Sequence, residues 1–310
     1  MEKEGKELNK TILSHTFPTM LYFDVNGEIM HRAAGRKYKQ PFLDLGKEAL
    51  DPKRQMRYFK NRYDSGTATP SEVQLYFRMQ EIAGMDAQLM IDDYLRKQPD
   101  STFTTQNNWR IMYDIIKDPT LPVMKRMIDF KKELESKYTA DSVNNKLLNV
   151  HNSYLMQYVQ QLDSVGFEAA KKKIRSNPKL DISNKICAWA DLNKLKMKSD
   201  WDSYRKNAKS FIDTYALNDF RRLNDVSNVC YDHFGGDKEL MTQAEGWVLK
   251  SISIADLYKG NYLLACISYV LGKMEQSNKA CLHAIEVGKR DNVDYKPASQ
   301  LLDVIQKKLQ

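Results

Sequence analysis

Several large protein classes are excluded by what this 310-residue chain does not contain. Nowhere do roughly 18 apolar residues run together, so no membrane-spanning helix is expected. The opening Met1-Glu-Lys-Glu-Gly-Lys6 has none of the apolar core of a secretion signal, and as written the chain reads as cytoplasmic. Only 4 cysteines occur, Cys187, Cys230, Cys266 and Cys281, and no two of them have Cys-x-x-Cys spacing. Gly-x-Ser-x-Gly, His-Glu-x-x-His and a phosphate-cradling glycine loop are all missing, which leaves no motif for those hydrolytic or nucleotide chemistries.

The cysteines sit among apolar neighbours in segments of helical pattern, where a thiol behaves as a small hydrophobe. Cys266 and Cys281 fall on neighbouring helices, and sequence spacing leaves a bridge between them open, because it does not supply the Cα separation. Cys230 with His233 and Cys281 with His283 make a zinc set only if two unrelated pairs converge, so a structural role is expected and no metal is assigned. Asp24 and the pair Asp92-Asp93 lack partners that would tune them for acid-base work. Surface or capping roles are expected for these acids.

A formal net charge of +8 raises nucleic-acid binding as a possibility to weigh. Two basic runs carry it, Arg54-Gln-Met-Arg-Tyr-Phe-Lys-Asn-Arg-Tyr63 and Lys171-Lys-Lys-Ile-Arg175. Both occupy helical segments whose other positions are apolar, which fits a solvated cationic face with aromatics packed beneath. No nucleic-acid partner is expected.

The first 50 residues hold the clearest strand signals. Met20-Leu-Tyr-Phe-Asp-Val25 is aromatic and β-branched and too short for a helix. Asn26-Gly27 then suits a type I′ turn, with Glu28 to Ala33 returning antiparallel and Gly35 ending the strand. Phe42, Leu45 and Ala49 lie on one helical face, and Asp51-Pro52 stops that helix. Upstream, Glu4 to Leu13 reads as a short polar helix.

After Pro52 helical periodicity takes over. Helices are expected over 53–64, 70–83, 86–97, 104–117, 121–137, 139–161, 167–175, 181–197, 200–215, 217–234, 237–250, 254–271, 274–289 and 296–309. Thr69-Pro70-Ser71-Glu72 has the form of a capped start, as do Thr139 to Ser142 and Ser199-Asp200. Breaks fall at Gly84, Pro99, Pro119, Pro122, Pro178, Gly235-Gly236, Gly272 and Pro297. In Tyr262 to Glu286 one helix ends in Leu271-Gly272 and the next carries Ser277, Ala280 and Ala284, small residues that let helix backbones approach.

The segment Phe17-Pro18-Thr19, the hairpin and the closing helix resemble the back half of a thioredoxin domain. The final helix pair, at about 254–289 with a helix to 310 capping it, resembles a tetratricopeptide hairpin, although Ser277 and Asn261 stand where that motif prefers alanine and tryptophan. End to end, the chain is similar to a family of thioredoxin-domain proteins common in Bacteroidetes, in which an exported thioredoxin-like domain precedes a long helical region. The implied fold is a partial α+β thioredoxin-like domain over 1–51, followed by a mainly α, helical-repeat region over 52–310.

The resemblance implies that Pro18 is cis and that the backbone at Phe17, Pro18 and Thr19 docks substrate, with His15 nearby either as a contact or as an ordinary loop residue. It further implies thiol-disulfide exchange for the family, whose Cys-x-x-Cys half this sequence does not hold. Met1 is accordingly read as an internal methionine, and export is implied if a signal lies upstream. The partner strand expected beside the first hairpin strand is also missing. The hairpin therefore docks on the rest of this chain, is covered by another chain, or belongs to a protein that starts further upstream, the reading we favour.

The expected role is protein or peptide binding through the concave face of the helical region, with a disulfide-containing substrate as one class of partner, and no catalytic residue or cofactor is assigned. The alternative is a non-catalytic helical-repeat interaction scaffold. The chain is expected to show no dithiol-dependent reduction of insulin, and turnover abolished by substitution of Pro18 would overturn this.

Overall fold

The computed structural model describes residues 16–309. The helix expected over Glu4 to Leu13, and His15, lie outside the described residues. Among those described are 17 helices, making the chain 72% helical, and a single two-stranded sheet. The architecture is therefore mainly α with a small antiparallel hairpin at its start. The chain divides into two compact units, one running to Tyr154 and including Pro178–Leu180, the other made of Leu155–Asn177 and the residues from Asp181 onward.

In the first unit, β1 (Thr19–Phe23) pairs with β2 (Ile29–Ala34), in register from Thr19↔Ala34 to Phe23↔Ile29 and with a bulge between Tyr22 and Phe23. The connection is not the expected type I′ turn. Gly27 N donates to Asp24 O (3.0 Å), which makes Gly27 the last residue of the turn at φ +80°, while Asn26 does not take a positive φ. The reason is Asp24, whose Oδ1 accepts from Asn26 N (2.9 Å) and Glu28 N (3.0 Å) and so closes a longer loop. β1 ends two residues earlier than expected.

Helices α1 (Lys39–Leu50), α2 (Met56–Asp64) and α3 (Pro70–Ile82) follow the hairpin. On α1 only Leu45 and Ala49 of the expected apolar face are buried, and Phe42 remains half exposed. At the start of α3 the expected cap is a full capping box: Glu72 N donates to Thr69 Oγ1 (3.3 Å) and Thr69 N to Glu72 Oε2 (2.7 Å). Next come α4 (Gln88–Arg96), a short α5 (Asp100–Phe103) that periodicity does not anticipate, and α6 (Gln106–Asp114). The helix expected over 121–137 is two, α7 (Pro122–Asp129) and α8 (Lys131–Tyr138), parted at Phe130. There the Phe130 ring packs on Phe103 with centroids 5.2 Å apart, a contact between residues distant in sequence. α9 (Ala140–Gln160) begins after Thr139, whose hydroxyl accepts from Ser142 N (3.3 Å) as expected.

The second unit contains α10 (Ser164–Arg175), α11 (Ser183–Met197), α12 (Trp201–Phe211) with a π-helical turn at Ile212–Ala216, α13 (Phe220–Phe234), α14 (Lys238–Ile254), α15 (Tyr258–Val270), α16 (Met274–Arg290) and α17 (Lys296–Leu309). Four of these helices begin on an aspartate. Asp163, Asp200, Asp219 and Asp237 accept from the amides of Gly166 (2.8 Å), Ser203, Arg222 and Leu240 (each 3.1 Å). Small residues bring helix backbones together, as Ser227 Oγ donates to Ala244 O (3.2 Å) between α13 and α14, and Ser277 Oγ to Ala265 O (2.7 Å) between α15 and α16. Gly272 makes the turn between the last two at φ +76°, a backbone angle costly for any residue with a Cβ.

Asp219 combines a cap with an ion pair, since its Oδ2 lies 2.6 Å from Lys185 Nζ. Burial alone would raise its pKa, but Lys185 and Arg222 outweigh burial and hold it below the ordinary carboxylate value. A carboxyl with a depressed folded pKa stabilises fully above its unfolded pKa and loses that contribution as pH falls through the folded value. Asp219→Asn is therefore expected to cost about 1–3 kcal/mol at neutral pH. The difference should vanish in acid, as denaturant midpoints measured against pH would show.

Candidate peptide-docking edge

The candidate residues Phe17, Pro18 and Thr19 lead directly into β1. The Phe17–Pro18 peptide is cis. Phe17 is 74% exposed, and Thr19 Oγ1 donates to Thr16 O. Gly35 N donates to Pro18 O (2.8 Å), and this bond sets the phase of the ladder. With Pro18, Met20 and Tyr22 bonding toward β2, the amide and carbonyl of Leu21 point to the opposite edge. No third strand pairs with that edge among the described residues.

β2 is held firmly on its other side. His31, Arg32, Ala33 and Ala34 are all buried, and Met56 N at the start of α2 donates to His31 Nδ1 (3.2 Å). An accepting Nδ1 requires a neutral ring, and burial lowers the His31 pKa in that sense. Gln55 Nε2 donates to Ala49 O (2.8 Å), tying the end of α1 to the start of α2. Of the three arrangements open to the hairpin, docking on this chain is therefore present for β2. The far edge of β1 pairs with no strand among the described residues.

The loop tip is fixed by charge. Arg57 on α2 lies 2.5 Å from Asp24 Oδ2 and 3.4 Å from Glu28 Oε2. Arg57 thereby lowers the Asp24 pKa, helped by the loop amides. Asp24, which the sequence places only as a surface or capping residue, is thus the cap of the loop and its link to α2. The link spans 33 positions and has no local signature in the sequence.

The other candidates are dispersed. All four cysteines are free and buried, with the Cys266–Cys281 bridge not formed. Burial pushes the Cys230 and Cys281 thiols up to about 12, away from the thiolate that thiol chemistry requires. His233 stacks on Trp201 at 3.7 Å, while His283 Nε2 lies 3.1 Å from Asp256 Oδ1. Among the described residues no group of three or more His, Cys, Asp or Glu side chains is placed to hold a metal.

Several cations of the two basic runs are engaged within the fold. Lys171 is buried and contacts Asp191 (2.5 Å) and Glu168 (3.2 Å), Arg62 lies 2.9 Å from Glu72, and Lys60 pairs with Asp64. Asp92 is buried and caps α7 by accepting from Val123 N (2.7 Å), and Asp93 pairs with Lys97 (2.6 Å), so both take the expected structural roles. No described helix is long and apolar enough to cross a membrane.

Compared with known proteins, the chain matches no family model, no curated protein and no solved structure.

Because Asp24 holds both the loop amides and Arg57, Asp24→Ala is expected to free the loop. Amide hydrogen exchange at Asn26 and Glu28 should accelerate while the β1–β2 amides keep their protection. Unchanged exchange at the loop would show that the backbone bonds suffice.

Proposed function

We propose that this chain binds an extended peptide or protein segment along the outer edge of β1, with Phe17, Pro18 and Thr19 where that segment first docks. The observation that carries this reading is the Leu21 amide and carbonyl directed away from β2, four residues after an exposed phenylalanine. A strand edge offers main-chain hydrogen bonds to any extended segment, and side chains beside it add selectivity. In this reading the hairpin and α1 are the docking half of a thioredoxin-like domain, and α15 and α16 with α17 are a tetratricopeptide-like hairpin and its cap. A disulfide-containing segment is one partner class. No thiol exchange is ascribed to this chain, whose thiols are buried and disfavoured as thiolates.

A second reading draws on a different observation. β2 is buried among α1, α2 and α3, in the same compact unit as the first helices. The hairpin then caps a non-catalytic helical interaction scaffold whose binding surface lies on the helices.

One experiment separates them. Peptides are selected from a displayed random library, and their affinities are compared for wild type, Leu21→Pro and Phe17→Ser. Proline at 21 removes an amide that points away from β2, so the hairpin keeps its own bonds, as circular dichroism would verify. Edge docking is expected to weaken by about tenfold in each variant. Affinities unchanged in both would overturn the edge reading and favour the scaffold.

A further inference from the structure

Helix α1 carries a second apolar stripe besides the one it buries. Leu45 and Ala49 pack inward. Phe42, Gly46 and Leu50 recur at four-residue steps on another side of the helix, with Leu43 next to Phe42. Leu50 is 82% exposed, Phe42 and Leu43 are half exposed, and a Cβ at Gly46 would meet nothing within 4 Å. Tyr38, just before the helix, is 88% exposed and adds an aromatic ring at that end. A helix that is apolar on two sides needs cover for both.

Charge around the stripe is sorted by side. Asp44 and Glu48 each lie two residues on from a member of the stripe, about 200° round the helix and so turned away from it. Both are also occupied, by Lys47 (3.3 Å) and Arg54 (2.7 Å). Lys39 stands one turn before Phe42 and Leu43 on their own side. Arg36, Lys39 and Lys53 are exposed and have no ion-pair partner among the described residues. From Arg36 to Arg54 the chain holds six lysine and arginine residues against Asp44, Glu48 and Asp51. Exposed apolar and aromatic side chains bordered by unpaired cations suit a helix lying in a lipid–water interface, where lysine and arginine reach the headgroups.

We propose that α1 docks this chain reversibly on an anionic phospholipid surface, with Phe42, Leu43 and Leu50 entering the acyl boundary and Arg36, Lys39 and Lys53 meeting the headgroup phosphates. A second copy seated on the stripe would set its own cations beside these, a repulsion that an anionic lipid surface replaces with attraction. The surface is separate from the β1 edge and stands whether or not that edge binds peptide.

The test mixes the full chain with sedimentable vesicles of phosphatidylcholine alone and of equal parts phosphatidylcholine and phosphatidylserine. The chain is expected to bind the mixed vesicles about tenfold more tightly. Leu50→Ser should weaken that binding by about tenfold through lost apolar burial. Lys39→Glu should weaken it by about tenfold and reduce the preference for phosphatidylserine. Both side chains are exposed, so the fold should persist, as circular dichroism would check. Leu162→Ser removes an exposed leucine from the other compact unit and is expected to change nothing. No sedimentation with the mixed vesicles, equal binding to both compositions, binding untouched by Leu50→Ser, or an equal loss with Leu162→Ser would each overturn the proposal. So would polyglutamate bound as tightly as the mixed vesicles, which assigns the cations to an acidic protein. A dimer that Leu50→Ser dissociates in sedimentation equilibrium would give the stripe to a second copy and overturn it as well.

Discussion

Satisfaction of helix ends is the constraint on which the rest of this structure depends. Each of 17 short helices leaves as many as four amides and four carbonyls without a partner inside the helix. In a chain with so many ends, leaving even a fraction of those groups buried and unbonded would cost more than a domain's whole stability. Two solutions are used. The second unit places aspartates just before the first helical residue, at Asp163, Asp200, Asp219 and Asp237. The first unit adds to local caps such as Thr69 and Thr139 several that reach across the fold. Asp92 Oδ1 caps α7, and Arg126 donates to Leu95 O (2.9 Å) and Arg96 O (3.0 Å) in the last turn of α4 and to Gln98 O (2.7 Å) just beyond it. Lys146 donates to Tyr113 O (2.6 Å) in the last turn of α6 and to Ile116 O (2.5 Å) just after it, and burial pushes its ammonium down to about 8.

With their ends satisfied, the helices of the second unit pack through small residues. Ser227, Ser277, Ala280 and Ala284 are fully or nearly buried, and the two serines convert close approach into hydrogen bonds with a neighbouring backbone. The cysteines belong to the same packing. Cys187, Cys230 and Cys281 are completely buried and Cys266 nearly so, which makes them volume-filling groups. The Asn261 side chain donates to Asp256 Oδ1 (2.7 Å) and Leu257 O (3.0 Å), tying the first turn of α15 to the residues just before it.

The proposed docking role of the hairpin rests on an asymmetry between its strands. β2 is locked by burial and by the bond from Met56 N to His31, while one edge of β1 pairs with no strand among the described residues. A docking surface performs best on a rigid support, because a loosely held edge would lose ordering entropy on binding. The Asp24–Arg57 pair and the buried face of β2 supply that support. The same packing forms a groove beneath β2 lined by Met30, Met56 and Met85.

Helix positions were legible in the sequence because their determinants are local. Thr69 to Glu72, Thr139 to Ser142, Asp200 and Gly272 act within a few residues of themselves, and periodicity places the long helices within a few residues of their observed bounds. The existence of the hairpin, the structural role of the four cysteines and the absence of a known catalytic motif were legible for the same reason. Tertiary structure decided what depends on residues far apart. The hairpin turn followed Asp24 and Arg57 rather than Asn26-Gly27, the helix over 121–137 parted at Phe130 against Phe103, and Arg126 and Lys146 became caps for helices about 30 residues away. The edge at Leu21 directed away from β2 and the groove beneath β2 belong to this second group. Each exists only once strands and helices have taken their places, because a strand edge or a concavity is a relation between segments and not a property of any one.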